Sequence, residues 1–409
     1  MGAFRENVNS YGFGKAILFI LSPFLSFLFS LRDLSSKSSY AVLICICLLF
    51  GLNFNVSNNR SLEHNLDGSY YREIFERDYV DSDVTVKDVF SNYFSFSSEK
   101  NTDLYVDLIS LFVSKFSSNY HILFLVYALV FTFFMVGSLK YLLQLDNFKN
   151  NSIVCLLLVL LFLQNDIFNI NGVRFWTAAW VAVYSFFKIY VDDKKLYLLL
   201  TAITPFIHAS FLLLVFVVLL SLIFRNAASN LKYLLFFSII LSPLMLFVMQ
   251  SIDTSRFPPL ISRYFDLYAS DAAISEYGAK RVSTLYYTIT TIFRAASLVY
   301  INILALKVSR GVNGNKSLGA LSNFLIILII FCNLTTILPS IGVRFIVLAC
   351  PIISYMWLSS FGIKKESMWI KVFPLFFFFI LRSKVLYYLM VLDGDFFYMN
   401  LFHLILKNI

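Results

Sequence analysis

Long runs of apolar residues, separated by short polar segments, dominate the hydrophobicity pattern of the chain. Inside these runs Leu, Phe and β-branched residues follow one another without the two-residue alternation of a membrane β-strand. Because lipid offers no water to backbone groups, only helices and closed barrels span it. The predicted spans are 14–31, 40–56, 119–138, 152–168, 173–191, 196–206, 207–224, 231–249, 284–307, 318–338, 342–361 and 369–392. The pattern predicts one all-α polytopic membrane domain over 1–409, with about 11–12 transmembrane helices.

Composition narrows the class of protein further. Of the 409 residues, 59% are hydrophobic and 14% are charged, whereas soluble domains have roughly 45–50% apolar and about 25% charged residues. A soluble fold is therefore excluded. The five cysteines and four histidines show no spacing typical of a disulfide framework or a metal site, so we expect neither a metal nor another cofactor.

The net charge of +9 gives the expected orientation. Loops on one side of the predicted membrane hold 15 basic and five acidic residues. These loops lie at 32–37, 140–149, 188–195, 225–232, 307–316 and 364–371. The positive-inside rule places them in the cytoplasm. The N-terminus and two sizeable loops, 57–118 and 250–283, are then predicted to be periplasmic, and the basic excess reflects orientation rather than binding to nucleic acid.

Two segments depart from simple spans. The stretch 196–224 is long for one span and short for two, and Pro205 and His208 interrupt it. We expect two short helices that meet at the outer face, because a single helix would place the later basic loops outside. In the first outer loop, apolar residues recur at helical spacing over 104–116. This spacing predicts an amphipathic helix on the outer membrane surface or above a cavity.

The tetrapeptide Gly-Val-Arg-Phe occurs twice, at 172–175 and 342–345, each time where a predicted span begins at the outer face. Each Arg follows a Gly turn at a helix N-terminus, an arrangement that suits an anion such as phosphate. Arg174 and Arg344 are therefore candidate anion-binding residues. The alternative is that both guanidinium groups extend to lipid headgroups.

Other polar residues are further candidates. Arg263 lies in the second outer loop with Tyr264 and Tyr268, whose rings are suited to stacking on sugars; the alternative is a solvated loop. His208 is either a proton acceptor or a core residue beside the Pro205 kink.

In the first outer loop Asp67 is a candidate general base, and Tyr71 a candidate sugar-binding residue; the alternative is surface charge. We expect Arg294, within the predicted span 284–307, to face the interior of the bundle.

The chain resembles the EpsG / Wzy family of polysaccharide (O-antigen) polymerases. The resemblance rests on Asn171-Gly-Val-Arg, the span after it, a Lys-Lys turn at 194–195 and Phe206-Ile-His-Ala-Ser. Asp67-Gly-Ser-Tyr-Tyr is similar to a further family element, and Arg344 matches a recurrent Arg. The chain departs from many members at Phe175-Trp176, where they carry a small polar residue.

The resemblance implies a glycosyltransferase with a GT-C-like helical bundle in the bacterial inner membrane. Its substrates would be oligosaccharide repeat units on undecaprenyl diphosphate, joined on the periplasmic side, with membrane lipid and a chain-length regulator protein as partners. Arg174 and Arg344, assisted by Arg263, would bind the diphosphate. His208 or Asp67 would deprotonate the acceptor hydroxyl. The alternatives are a flippase or transporter of lipid-linked oligosaccharides, an O-antigen ligase and a membrane acyltransferase.

Overall fold

A computed structural model describes residues 11–57, 67–94, 104–224, 228–251, 284–312, 316–336, 341–363 and 367–409. The first α-helices are α1 (Gly12–Leu21), α2 (Pro23–Ser30), α3 (Lys37–Leu52), α4 (Asp67–Ile74), α5 (Val86–Phe94), α6 (Leu104–Ser114) and α7 (Tyr120–Leu143). The central helices are α8 (Ile153–Phe162), α9 (Val173–Phe186), α10 (Leu198–Ile207), α11 (Phe211–Ile223) and α12 (Ala228–Gln250). The last helices are α13 (Thr284–Arg310), α14 (Lys316–Thr335), α15 (Gly342–Phe345), α16 (Ala349–Phe361), α17 (Ser367–Lys371), α18 (Phe373–Val391) and α19 (Leu401–Leu406).

The described residues form helices and turns without any β-strand, which confirms the predicted all-α membrane fold. Six helical segments among them are long and apolar enough to cross a membrane: Tyr120–Leu143, Ile153–Val191, Thr291–Arg310, Lys316–Thr335, Gly342–Phe361 and Ser367–Val391. Shorter apolar helices accompany them, including α3, α10 and α11. The exact number of spans and the GT-C-like arrangement stay predictions.

The predicted first span, 14–31, is wrong as a single helix. It folds back on itself as a hairpin of α1 and α2, with the Tyr11 and Phe29 rings 6.4 Å apart between their centroids. Lys15 is buried, and its Nζ atom donates to Ser39 Oγ at 2.7 Å. Both ends of the hairpin therefore lie on one side, and the chain does not cross the bundle between them. The main reason for a periplasmic N-terminus is removed, although residues 1–10 lie outside the described part of the chain.

The interruption at His208 separates two helices, as predicted. The helix α10 contains Pro205 and ends at Ile207, His208 adopts an extended backbone conformation, and α11 begins at Phe211. At 10 and 13 residues, these helices are about 15 and 20 Å long.

Contacts with α9 give the direction of both helices. The Ser185 and Thr201 hydroxyls are 2.7 Å apart near the start of α10, and the Tyr190 and Ser221 hydroxyls are hydrogen-bonded near the end of α11. Both helices meet at the other end of α9, where Phe175 lies. They are thus antiparallel and join at the end where α9 begins, which we call the outer side and expect to be periplasmic.

The described part of the first outer loop is helical. Residues 67–94 form α4, a π-helical turn (Phe75–Tyr79) and α5, and α6 follows at Leu104. Asp107, Ser110 and Leu111 of α6 are buried, whereas Phe112 and Phe116 are exposed. The predicted amphipathic helix therefore exists, but its polar residues face the protein. The predicted second outer loop, 250–283, lies almost wholly outside the described residues.

The side chain of Arg294 is exposed on α13, and the expectation that it faces the bundle interior is wrong. The interior instead holds α9 and α14, whose side chains are mostly buried. Trp180 of α9 is fully buried and stacks on Phe162 with 5.9 Å between ring centroids. Because large aromatic rings fix the position of α9, the start of this helix is a rigid place for a site.

Candidate active site

The two Gly-Val-Arg-Phe segments meet on the outer side of the bundle. The ring centroids of Phe175 and Phe345 are 5.2 Å apart, and each lies 5.1 Å from that of Phe211. All three rings are buried. Residues 170 positions apart therefore form one aromatic cluster, with Arg344 beside the Phe175 ring and Arg174 directly before Phe175 in the sequence.

Arg174 lies in the first turn of α9 and is held by the first outer loop. A 3₁₀ helix (Ile167–Gly172) leads directly into α9. The Arg174 Nε–H donates to the Tyr71 hydroxyl at 3.2 Å, and its Cζ atom lies 5.6 Å from the centroid of the Tyr71 ring. The guanidinium is half-buried. This hydrogen bond and the contact with the ring orient the guanidinium, which is the candidate group for binding an anion.

Tyr71 itself is only 1% exposed. A ring that stacks on a sugar must present one face to the ligand, and this ring is covered. Tyr71 therefore presents no ring face to a ligand in this structure, and its predicted sugar-binding role stays a prediction. Its hydroxyl group instead positions Arg174.

Arg344 belongs to α15, a single turn between the end of α14 and a 3₁₀ turn. Its Cζ atom lies 5.6 Å from the centroid of the Phe175 ring, and the residue is half-buried. A Cβ atom on Gly342 would lie only 2.5 Å from the Cys332 carbonyl oxygen. Glycine is thus needed for the close approach of α15 to α14, which sets the position of Arg344.

Asp67 and Gly68 connect the first outer loop with the segment before α9. The Gly68 N–H donates to Asn171 Oδ1 at 2.9 Å. Asp67 is exposed, and its Oδ2 atom lies 3.6 Å from the position of a Cβ atom built on Gly172. The Asp67-Gly68 and Asn171-Gly172 pairs are therefore in contact, and the Asp67 carboxylate lies beside Gly172, which precedes Arg174 by two residues.

His208 lies beneath the same aromatic cluster. Its ring packs edge-on against Phe175, with 5.4 Å between centroids, and the residue is 8% exposed. The Ser210 backbone N–H and hydroxyl lie 3.3 and 2.8 Å from His208 Nδ1. Because a backbone N–H can only donate, Nδ1 accepts, and the proton of the neutral ring is on Nε2. This tautomer donates at Nε2 and does not accept a proton there.

The remaining predicted site residues, Arg263, Tyr264 and Tyr268, lie outside the described residues. Among the described residues, no three His, Cys, Asp or Glu side chains are close enough together to hold a metal ion.

Sequence reasoning missed a polar network behind the 3₁₀ helix. Lys384 of α18 donates to Asp166 Oδ2 at 2.8 Å and also to the Gln164 carbonyl oxygen. Asn165 accepts from Asn169 through its side chain and from Trp180 through its carbonyl oxygen. This half-buried ionic pair fixes the chain before α9. The sequence feature that could have predicted this ion pair is a Lys in one apolar run, Lys384, and an Asp at the end of another, Asp166.

A second missed residue is Asp107, which is 6% exposed on α6. Burial and the neighbouring Asp107 carboxylate raise the pKa of Tyr79, whose hydroxyl therefore stays protonated. Tyrosine rings also connect α6 with Tyr71. The Tyr105 ring centroid lies 5.9 Å from that of Tyr127, which in turn lies 6.3 Å from that of Tyr71. The first outer loop is thus attached to the bundle through tyrosines.

The sequence model of the EpsG family matches residues 43–402. No curated protein and no solved structure matches the chain. The matched range includes every placed candidate residue, from Asp67 to Arg344. Because the match covers most of the chain, this polysaccharide-polymerase-like membrane protein belongs to the EpsG family.

Proposed function

We propose that the protein joins oligosaccharide repeat units carried on undecaprenyl diphosphate at the periplasmic face of the bacterial inner membrane, as an O-antigen-type polysaccharide polymerase. One observation carries the proposal. Arg174 and Arg344 lie beside one aromatic cluster on the outer side, with the Asp67 carboxylate next to the same turn. Two cations and a carboxylate are the groups that glycosyl transfer from a lipid diphosphate needs.

The reaction replaces one bond to the anomeric carbon with another. A hydroxyl oxygen of the acceptor unit attacks the anomeric carbon of the donor sugar, and the bond from that carbon to the diphosphate oxygen breaks. The electron pair leaves with the lipid diphosphate, which gains negative charge. Arg174 and Arg344 stabilise this charge by hydrogen bonding and electrostatics, and Arg263 assists.

The acceptor proton passes to Asp67 rather than to His208. Asp67 is exposed beside Gly172, at the entrance to the turn that carries Arg174. His208 is buried and accepts at Nδ1 from Ser210, so its Nε2 atom carries the proton. We assign His208 to packing under Phe175 and Asp67 to the role of general base.

The sugars then contact other residues. Tyr264 and Tyr268 of the second outer loop are the stacking platforms in this proposal, because Tyr71 is covered and holds Arg174. Membrane lipid surrounds the polyprenyl chain of the donor. A chain-length regulator protein acts on the product.

The test is polymerisation by the purified full-length protein in lipid nanodiscs, supplied with undecaprenyl-diphosphate repeat units extracted from a strain lacking the gene. We expect a ladder of products on the lipid carrier, lost in the Arg174→Ala variant. Arg77→Ala is the matched control, because Arg77 is an exposed Arg of the first outer loop that pairs with Glu73 and Asp78.

The deletion strain separates the alternatives. Loss of a polymerase leaves a single repeat unit on the lipopolysaccharide core. Loss of a ligase leaves polymer on the carrier and none on the core, and loss of a flippase leaves neither product. Long polymer at the normal rate from the Arg174→Ala, Arg344→Ala double variant would falsify the proposed roles of these two residues.

A further inference from the structure

A polar cavity lies on the outer side, and its lining does not include Arg174 or Arg344. It has a volume of about 160 Å³ and is lined by Asn53, Asn55, His121, Asp393, Asp395, Phe396, Lys407 and Asn408. Ordinary small-molecule pockets begin at roughly 300 Å³, so this cavity has room for a single small ring. Asn55 and Asp393 are exposed, which opens the cavity to the surface.

The C-terminal segment folds back to build this cavity. Asn408 Nδ2 donates to Asn53 Oδ1 at 2.8 Å, and Lys407 Nζ donates to Asp393 and Asp395 at 2.6 and 3.1 Å. Asn55 Nδ2 approaches Asp393 Oδ1 at 3.4 Å. The lining is thus a ring of amides and carboxylates around one buried aromatic residue, with hydrogen-bonding capacity beyond these contacts.

One lining atom lacks a partner. His121 Nδ1 is buried and makes no hydrogen bond within the described residues, although the Leu52 carbonyl lies near the ring. Buried polar atoms in proteins nearly always have a partner from the protein, water or a ligand. His121 thus adds an imidazole ring to the polar wall of the cavity.

The charges of the lining restrict that occupant. Hydrogen bonds from Tyr398, the Lys407 ammonium and His403 lower the pKa of Asp395 to about 2, and the Lys407 ammonium also lowers the pKa of Asp393. Both carboxylates are ionised at neutral pH, so the single ammonium leaves the lining with one excess negative charge. An anion such as phosphate is disfavoured, and the amides and carboxylates of the lining offer hydrogen-bond donors and acceptors that suit a neutral molecule rich in hydroxyl groups.

The cavity adjoins the candidate active site. Asn53 and Asn55 lie on either side of Phe54, and a Cβ atom on Gly68 would lie 3.0 Å from Phe54 Cε1. Gly68 is the residue that donates to Asn171, next to the turn of Arg174. The short segment 53–56 therefore has the cavity on one face and the active-site loop on the other.

From this arrangement we infer that the cavity is a second saccharide-binding subsite, which holds one neutral sugar ring of the oligosaccharide while its reacting end lies at Arg174. That this sugar ring belongs to the lipid-linked oligosaccharide substrate rests on the proposed function. Carboxylates and amides accept and donate hydrogen bonds to neighbouring sugar hydroxyls, and Phe396 provides an apolar floor.

The experiment is saturation-transfer NMR on the full-length protein in detergent, with methyl glycosides of glucose, galactose and N-acetylglucosamine as probes. Asn55→Trp places a bulky ring at the rim from an exposed position, and Lys115→Trp adds the same ring at an exposed position at the end of the first outer loop. We expect at least one glycoside to bind the parent protein, and about tenfold weaker binding to the Asn55→Trp variant. The Lys115→Trp and Arg174→Ala variants should bind as the parent does.

Three outcomes overturn the inference. They are the absence of signal from every glycoside, a signal that survives Asn55→Trp but not Arg174→Ala, and displacement of the glycoside by inorganic phosphate. The proposed function can fail separately, because this binding does not require catalysis. Glycoside binding lost in Asn55→Trp supports the subsite even where the nanodisc assay yields no polymer.

Discussion

The two Gly-Val-Arg-Phe segments have the same four residues and different surroundings. The first is preceded by a 3₁₀ helix and begins the 14-residue helix α9, whereas the second forms the single turn α15. Arg174 donates to the hydroxyl of Tyr71 from the first outer loop. Arg344 lies beside the Phe175 ring, which belongs to the first segment.

The glycines differ as well. A Cβ atom at position 172 would approach Trp176 side-chain atoms at 3.1 Å, whereas one at position 342 would lie 2.5 Å from a backbone oxygen. A side chain can move aside, but the end of a buried helix cannot. The repeated tetrapeptide therefore does not imply equal roles: the first segment positions the Arg that we propose for the chemistry, and the second depends on glycine for packing.

The largest expected effect is on the first Arg. Replacing Arg174 by Ala should lower the polymerisation rate by about 10²- to 10³-fold, as removal of one donor to a developing negative charge does. Arg174→Lys keeps the charge but not the fork of N–H donors, and should recover only part of the rate. The measurement is the initial rate of product formation in nanodiscs, with Arg77→Ala as the control. Equal rates for Arg174→Ala and the control would exclude Arg174 from the reaction.

The second effect concerns stability and should separate the two glycines. Gly342→Ala should lower the free energy of unfolding by about 1–3 kcal/mol, because the new methyl group overlaps the end of α14. Gly172→Ala should lower it by about 1 kcal/mol or less, since only the Trp176 side chain must shift. Thermal unfolding of both variants in one detergent gives the comparison. A larger loss of unfolding free energy for Gly172→Ala would show that the end of α14 can move aside more easily than the Trp176 side chain.

The third effect returns to activity, now at the second segment. Arg344→Ala should lower the polymerisation rate by about tenfold, a smaller loss than for Arg174→Ala, because within the described residues the Arg344 guanidinium contacts the Phe175 ring, a weaker constraint than the hydrogen bond that orients Arg174. The same nanodisc assay measures it. The comparison between the two segments fails if Arg344→Ala loses more activity than Arg174→Ala while unfolding at the parent temperature.

Much of this arrangement could be predicted from the sequence. Apolar runs predicted the helices, the interruption at His208 predicted two short helices, and the repeated tetrapeptide led to Arg174 and Arg344. These features are local, because hydrophobic period and helix-breaking residues act within a few positions. The same local rules failed for 14–31, where Lys15 turns back to bind serines more than twenty positions away.

The pairing of residues could not be predicted in this way. Nothing near Tyr71 indicates that its hydroxyl meets Arg174, 103 positions later. Asp166 and Lys384 are 218 positions apart, and their ion pair joins the start of the 3₁₀ helix to α18. No sequence motif links these two segments. Such contacts depend on which helix faces pack together, and a single sequence does not fix that choice. The cavity at Asn55 is of the same kind, since its walls come from α3, α7 and the C-terminal segment.

The smallest expected effect tests the contact that distinguishes the first segment from the second. Tyr71→Phe removes one hydroxyl and keeps the ring, so the fold should be retained while Arg174 loses its hydrogen bond to the first outer loop. This hydrogen bond runs from the half-buried Arg174 guanidinium to a neutral acceptor at 3.2 Å, and its loss should cost about 1 kcal/mol, which corresponds to a roughly fivefold slower polymerisation. Tyr70→Phe is the matched control, because Tyr70 is the neighbouring tyrosine and is less buried. If Tyr71→Phe and Tyr70→Phe polymerise equally fast, the hydrogen bond does not position Arg174, and the two arginines differ only through the rings that surround them.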